Sequence, residues 1–109
     1  MLFRSLLYAQ RAGLDPQIVL QSIGAGAASS WALNNLFPRV CKNDFNPGFF
    51  VEHFVKDMDI ALAEANRMGL QTPGLKLARE LYGELVATGG ARLGTQAIYK
   101  VLAARSARP

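Results

Sequence analysis

One stretch decides the fold class of this chain, and it reads Phe49-Phe-Val-Glu-His-Phe-Val-Lys-Asp-Met-Asp-Ile-Ala-Leu-Ala-Glu-Ala65. Its apolar residues recur at steps of three and four, the period of a helix with one wide buried face. They are Val51, Phe54, Val55, Met58, Leu62 and Ala65. The turn residues that end at Gly48 and the stop at Gly69 place this helix at about Phe50 to Met68.

The same periodicity runs through the rest of the chain, with breaks at residues that begin or end helices. The other predicted helices are residues 2–12, a helix begun by Asp15-Pro16, a short one capped by Ser29 or Ser30 and closed by Pro38, one opened by Thr72-Pro73 and stopped by Gly89, and one capped by Thr95. No segment alternates apolar and polar residues as a half-buried strand does. We therefore predict one all-α domain over residues 1–109, folded as a compact multi-helix bundle.

Size and composition fit a single folded domain. The chain has 109 residues, of which 50% are hydrophobic and 18% charged, enough for a modest core. No apolar run reaches the roughly 18 to 20 residues that cross a bilayer, and the first residues lack a signal-peptide pattern. We therefore expect no membrane association and a cytoplasmic location. The single cysteine, Cys41, excludes an intrachain disulfide and is interpreted as structural.

The net charge of +4 comes largely from the C-terminal end, after the last acidic residue, Glu84. A basic end without aromatic or glycine interleaving is more typical of a solvated helix terminus than of a phosphate-binding surface. A small nucleic-acid binder that uses Lys100, Arg105 and Arg108 is a minor alternative, and we expect no nucleic-acid partner.

Several common chemistries lack their motifs. The chain has no Gly-x-Gly-x-x-Gly between a strand and a helix and no phosphate-binding loop with Lys-Ser/Thr. His53 and Cys41 do not make a convincing metal-ligand set, and no nucleophile elbow surrounds the serines. We predict no metal site.

Lys56 is the residue with a candidate role in binding. On a helix it lies beside Glu52 and Asp59, and an exposed ion pair with Glu52 worth about 0.3 to 0.5 kcal/mol would explain it. Asp57 would similarly pair with His53, one turn away. A lysine ammonium also donates to cofactor oxygens or to a substrate carboxylate. The residues alone leave both interpretations open.

An ordered set of segments resembles a known family. The segments are Ala12-Gly-Leu-Asp-Pro16, Gly24-Ala-Gly-Ala-Ala-Ser-Ser-Trp31, Phe45-Asn-Pro-Gly-Phe49, Val55-Lys-Asp-Met-Asp-Ile-Ala61 and Pro73-Gly-Leu75. Together they are similar to the 3-hydroxyisobutyrate dehydrogenase (β-hydroxyacid dehydrogenase) family and to related semialdehyde reductases. The similarity covers nearly the whole chain and falls on the family's helical C-terminal domain, which is also like that of 6-phosphogluconate dehydrogenases.

The resemblance implies roles for particular residues. Lys56 matches the family lysine that reaches bound NAD or NADP, and Asp57 matches the residue that supports it. A loop near the cleft is matched by residues given a structural role: Phe45, Pro47, Gly48 and Phe49. The intact protein would be an NAD(P)-dependent oxidoreductase that acts on a small hydroxy acid or its semialdehyde, as a homodimer.

The resemblance also implies that this chain is a fragment without the N-terminal dinucleotide-binding domain, its partner within the same protein. The family's catalytic lysine would lie upstream of Met1, so no catalytic residue is assigned here. The fragment alone is expected to be inactive and to bind no cofactor, and Phe3, Leu6 and Leu7 of a truncated first helix are expected to be exposed. Two departures are Arg4 in place of a common glutamate and Gly94-Thr-Gln-Ala97 in place of Asp-x-Ser-Ala. The alternative function is a stand-alone helical interaction or dimerisation module without catalysis.

Overall fold

A computed structural model describes residues 2–107, and they form a helical bundle. In chain order the elements are α1 (Leu2–Arg11), α2 (Pro16–Ile23), α3 (Trp31–Cys41), α4 (Val51–Arg67), α5 (Pro73–Ala87), a short 3-10 helix (Thr95–Ala97) and α6 (Ile98–Ser106). Within the described range there is no extended strand, and an isolated antiparallel bridge joins Phe50 to Gly94. The predicted all-α fold is confirmed.

Local chemistry sets most helix ends where the sequence predicts them. The carboxylate of Asp15 accepts a hydrogen bond from the amide of Gln17 at 2.9 Å, and Pro16 follows at the first helical position. Of the two candidate serines, Ser30 caps α3, because its hydroxyl accepts from the amide of Leu33 at 3.0 Å. Gly69 ends α4 with a φ of 69°, a left-handed conformation that glycine adopts without steric cost.

The prediction that Pro38 closes the third helix is wrong. Pro38 lies inside α3, which continues to Cys41. A proline within a helix removes one backbone hydrogen bond and usually disfavours the turn around it. Here Phe37 and Val40 are both buried, so packing on either side of the proline holds the last turn in place.

The prediction that Thr95 caps the last helix is also wrong. Thr95 is the first residue of the 3-10 helix, and α6 starts only at Ile98. The amide of Gly94 donates to the carbonyl of Phe45 at 2.9 Å, and that of Thr95 donates to the carbonyl of Phe49 at 3.1 Å. These distant partners replace the local side-chain cap.

The core lies where α1, α3, α4, α5 and α6 meet. The side chains of Phe37, Leu6, Leu85 and Val51 are fully buried. The helix α1 packs against α6 and α3, and α4 and α5 form an antiparallel hairpin. Phe3 is only 8% exposed and Leu6 0%, so the expected exposed strip on the first helix is wrong for these two residues. Both pack into the bundle, and Leu7 is half-buried.

Candidate cofactor-contacting surface around Lys56

The first turn of α4 is held by backbone contacts with a distant segment. Phe50 occupies the N-cap position without a side-chain hydrogen bond. The amide of Val51 instead donates to the carbonyl of Leu93, and that of Glu52 to the carbonyl of Ala91, each at 2.9 Å. Two of the amides that a helix start leaves unpaired are satisfied in this way. The start of α4 is therefore fixed by residues 91–93.

The loop before α4 is fixed by charge and by hydrogen bonds. Arg39 donates to the carboxylate of Asp44 at 3.0 Å and to the carbonyl of Asn46 at 2.5 Å. The Arg39 hydrogen bond, with the amide of Asn46, lowers the pKa of Asp44 below its ordinary value. The ammonium of Lys100 lies 4.5 Å from the centre of the Phe45 ring, a cation–π contact.

The remaining residues assigned to this loop are differently exposed. Pro47 is half-buried, whereas Gly48 and Phe49 are exposed. The ring of Phe49 contacts Phe54 edge to face, with 6.1 Å between the centroids. The loop thus ends with an aromatic side chain beside the first two turns of α4.

The ion pair predicted between Glu52 and Lys56 is absent. Glu52 instead pairs with Arg92, with 2.6 Å between Oε1 and Nη1. Arg92 reaches it because the segment that carries this arginine is bound to the start of α4, and its guanidinium also lies 4.4 Å from the centre of the Phe50 ring. The second acidic neighbour, Asp59, pairs with Arg79 of α5 at 2.5 Å. Both carboxylates next to Lys56 on the helix therefore form ion pairs with arginines from other segments.

Lys56 is exposed on α4, and across residues 2–107 the structure gives its ammonium no hydrogen bond or ion pair. The same part of the chain contains no pair between His53 and Asp57, because His53 contacts the rings of Phe49 and Phe50. Both simple explanations for the polar residues here are therefore wrong. A lysine with three available donors remains on the outer face of α4.

An apolar groove of about 650 Å³ opens beside Asp57. Two of its lining residues, Phe54 and Tyr82, meet edge to face with 4.9 Å between ring centroids. The Tyr82 hydroxyl donates to the carbonyl of Thr95 at 2.8 Å, and burial raises the pKa of this phenol. The groove is lined by Phe3, Ala32, Leu36, Phe49, Phe54, Asp57, Gly74, Leu77, Ala78, Leu81, Tyr82, Thr95, Ile98 and Leu102. It offers apolar surface that reaches α4 at Phe54 and at Asp57, the residue after Lys56.

Other chemistries find little support in the described residues. Residues 2–107 contain no group of three or more His, Cys, Asp or Glu side chains that could hold a metal ion. Burial raises the pKa of the Cys41 thiol, so the reactive thiolate is disfavoured. No helix between residues 2 and 107 combines the length and apolar character needed to cross a membrane.

Two of the basic residues that a nucleic-acid binder would use make contacts within the bundle. Arg105 pairs with Glu84 at 2.9 Å, and Lys100 lies over the Phe45 ring. Arg108 lies outside the described residues. The two described cations are thus engaged within the bundle.

Two contributors to the site were not singled out in the sequence. In the sequence, Arg92 is one of the basic residues after Glu84, and Gln96 belongs to the segment Gly94-Thr-Gln-Ala97. Gln96 donates from its amide to the carbonyls of Asp44 and Asn46 at 3.1 and 2.9 Å. The difference between this segment and the family pattern marks Gln96 as unusual, but it does not indicate that the side chain binds the carbonyls of Asp44 and Asn46.

Comparison with known proteins identifies relatives along nearly the whole chain. The family described as the NAD-binding part of NADP-dependent 3-hydroxyisobutyrate dehydrogenase matches residues 2–102. The oxidoreductase YkwC of Bacillus subtilis, itself named uncharacterized, is 55% identical over 97 residues, covering 89% of this chain and 34% of YkwC. A probable mitochondrial 3-hydroxyisobutyrate dehydrogenase-like protein of Arabidopsis thaliana is 50% identical over 101 residues, covering 93% of this chain and 30% of that protein.

The fold has a solved counterpart. The crystal structure of a 3-hydroxyisobutyrate dehydrogenase from Salmonella typhimurium superposes with a TM-score of 0.85 at 22% identity, covering 92% of this chain and 35% of that one. This likeness concerns the fold alone. The chain spans about a third of the length of the relatives that it matches. The family match along residues 2–102 shows that the chain belongs to the 3-hydroxyisobutyrate dehydrogenase family.

Proposed function

We propose that this chain is the C-terminal helical part of an NAD(P)-dependent oxidoreductase acting on a small hydroxy acid or its semialdehyde. In this proposal the chain closes the cofactor site from the helical side, and Lys56 is the residue that contacts the cofactor. The dinucleotide-binding domain and the catalytic lysine belong to other parts of the intact protein, which is a cytoplasmic homodimer. The chain alone is inactive and binds no cofactor.

The observation that carries the proposal is the unpaired ammonium of Lys56. Glu52 and Asp59 are close enough in sequence to form ion pairs with Lys56, but each forms an ion pair with an arginine instead. The lysine lies on a helix start fixed by residues 91–93, in a chain whose family is described by its binding of NAD. A positioned, unpaired cation is suited to oxygens of a dinucleotide or to a substrate carboxylate.

The residues present fit one side of a nicotinamide cofactor. Lys56 supplies three donors, and the groove beside Asp57 supplies apolar surface. In residues 2–107 no strand precedes a glycine-rich turn, so the phosphates need a cradle from another domain. When bound, the cofactor supplies hydride transfer; Lys56 binds and orients it, and Asp57 with the loop Phe45–Phe49 supports that position.

A chimera tests this role without assumptions about what precedes Met1. Residues 2–102 of this chain replace the matching segment of YkwC, and the Kd for NADH and NADPH is measured by fluorescence titration. We expect Lys56→Ala to raise the Kd about 10- to 100-fold, since a hydrogen bond to a charged group contributes about 1.5 to 3 kcal/mol. The pH dependence of kcat should persist, because the proton-transferring lysine lies elsewhere.

Lys76→Ala is the matched control, because Lys76 is an exposed lysine on α5 that does not line the groove. It should leave both Kd values unchanged. Equal affinities in the parent chimera and in Lys56→Ala would remove the cofactor-contacting role, and the interaction-module alternative would then be preferred.

A further inference from the structure

Gln96 is a polar side chain buried in the described core, with 1% of its surface exposed. Its Nε2 donates to the carbonyls of Asp44 and Asn46, at 3.1 and 2.9 Å. These two acceptors fix the direction of the amide, because the opposite rotamer would place Oε1 against two carbonyl oxygens. Within residues 2–107, that Oε1 is buried without a hydrogen-bond partner. An unpaired buried acceptor is costly, so the two bonds made by Nε2 must offset that cost.

Gly94 provides the space that the Gln96 amide occupies. Its φ is −70°, a value open to every residue type, so backbone conformation does not explain the glycine. A Cβ at Gly94 would collide with Oε1 of Gln96 and would lie 2.8 Å from Cδ of Gln96 and 2.9 Å from the carbonyl oxygen of Asn46. A side chain at position 94 is therefore excluded by the Gln96 amide and also crowded by the carbonyl of Asn46.

Residues 91–95 also bind the 44–49 loop and the start of α4 through their backbone. Gly94 and Thr95 donate their amides to the carbonyls of Phe45 and Phe49, at 2.9 and 3.1 Å. The carbonyls of residues 91 and 93 accept from the first amides of α4, which has no side-chain cap of its own. We call the Gln96 amide bonds and the backbone bonds of residues 91–95 the clamp. The clamp therefore connects Gln96 to the start of the helix that carries Lys56.

We propose that Gln96 is a positioning residue, whose carboxamide fixes the 44–49 loop against residues 91–96 and thereby sets the first turns of α4 and the direction of Lys56. The clamp itself follows from contacts within this chain. Its effect on the cofactor rests on the proposed function of Lys56, so the two parts need separate measurements.

Hydrogen exchange in the 109-residue chain tests the clamp. Gln96→Met keeps the side-chain length but removes two donated hydrogen bonds together with the unpaired Oε1, whose loss partly offsets theirs, so the amides of Gly94 and Thr95 should lose protection by about tenfold. The amide of Leu85 in the core should keep its protection. Gln21→Met, an exposed change on α2, is the matched control and should alter none of the three. Unchanged protection at Gly94 and Thr95, or an equal loss at Leu85, overturns the proposal.

A double-mutant cycle tests whether Gly94 and Gln96 interlock. Gly94→Ala alone should lower the urea midpoint strongly, because the new methyl group meets the Gln96 amide. In a Gln96→Ala background that amide is absent, so the same change should lower the midpoint less. Additive shifts in the double variant would overturn the interlock.

The chimera with YkwC tests whether the clamp acts through Lys56. Gln96→Met should raise the Kd for NADH or NADPH, and the Lys56→Ala/Gln96→Met double variant should have the same Kd as Lys56→Ala. A merely structural role would instead add a further loss in the double variant, which overturns the positioning role and leaves the function of Lys56 intact. If Lys56→Ala itself has no effect, the proposed function fails, and the positioning role fails with it.

Discussion

The hydroxyl of Tyr82 offers a test of the contacts that hold the groove together, because a change to phenylalanine removes this hydroxyl and leaves the ring. Tyr82→Phe keeps the ring and its edge-to-face contact with Phe54 but removes the donor to the carbonyl of Thr95, 2.8 Å away. That carbonyl also accepts a hydrogen bond from the amide of Ile98, so the substitution does not leave it wholly unpaired. Burial raises the pKa of the phenol, so it remains a neutral donor across the physiological pH range.

These contacts set the magnitude. A neutral hydrogen bond contributes about 0.5 to 1.5 kcal/mol, and an acceptor left entirely unpaired costs about 1 to 3 kcal/mol. Since the Thr95 carbonyl keeps one partner, we expect Tyr82→Phe to lower the free energy of unfolding by about 1 kcal/mol. Tyr82→Leu also removes the aromatic contact with Phe54, which adds about 0.5 to 1.5 kcal/mol beyond the effect of the lost surface.

Urea unfolding of the 109-residue chain, followed by circular dichroism, measures both changes. Tyr99→Phe is the matched control: its hydroxyl donates to the exposed side chain of Gln10 at 2.8 Å, and water replaces that partner easily. We expect the control to stay within about 0.5 kcal/mol of the parent. If Tyr82→Phe is as stable as Tyr99→Phe, the hydroxyl does not tie α5 to the 3-10 helix as described.

Three further changes have expected outcomes from burial, charge and backbone conformation, and all are read by urea unfolding. Leu6→Ala, at a fully buried position, should lower the free energy of unfolding by about 3 to 5 kcal/mol, whereas Leu70→Ala, at a side chain 55% exposed, should change it by less than about 0.5 kcal/mol. The pKa of Asp44 is lowered in the folded chain, so its stabilising effect is present above the ordinary value of 3.8 and is lost as the pH falls through the folded value. Asp44→Asn should therefore be less stable than the parent at about pH 7, with a difference that shrinks toward pH 3; a constant difference would contradict this. Gly69→Ala should lower the free energy of unfolding by about 1 kcal/mol, because the φ of Gly69 is 69°. Gly74→Ala, in open space within α5, should leave that free energy unchanged or raise it slightly. The reverse order would contradict the assignment of Gly69 as a left-handed helix end.

The parts of the fold that could be predicted from sequence are those decided by neighbouring residues. Asp15 and Ser30 cap their helices through amides two and three residues ahead, and Gly69 ends α4 through its own backbone angle. The apolar stripe of α4 likewise depends on spacing alone, and Val51, Met58 and Ala65 are buried as predicted. The exposure of Lys56 follows from the same spacing.

The parts that could not be predicted depend on residues far away in the chain. Glu52 pairs with Arg92, 40 positions later, rather than with the lysine one turn away. Gln96 donates to carbonyls 52 and 50 positions earlier, and the amides of Gly94 and Thr95 bond to the carbonyls of Phe45 and Phe49 where the sequence predicts a side-chain cap. Pro38 was overridden in the same way, by the burial of residues on either side of it. Local patterns located Lys56, but only tertiary packing shows that its neighbours are occupied.

The bridge between Phe50 and Gly94 joins the two ends of the hairpin that α4 and α5 form. From this bridge the chain runs along α4 for 17 residues, or about 25 Å, and returns along α5 to the same end of the hairpin. The turn at residues 68–72 is therefore the end of the hairpin that lies farthest from the bridge. An insertion or deletion in that turn would change the length of the hairpin without moving its two joined ends, so Lys56, which lies near the bridge, should keep its position.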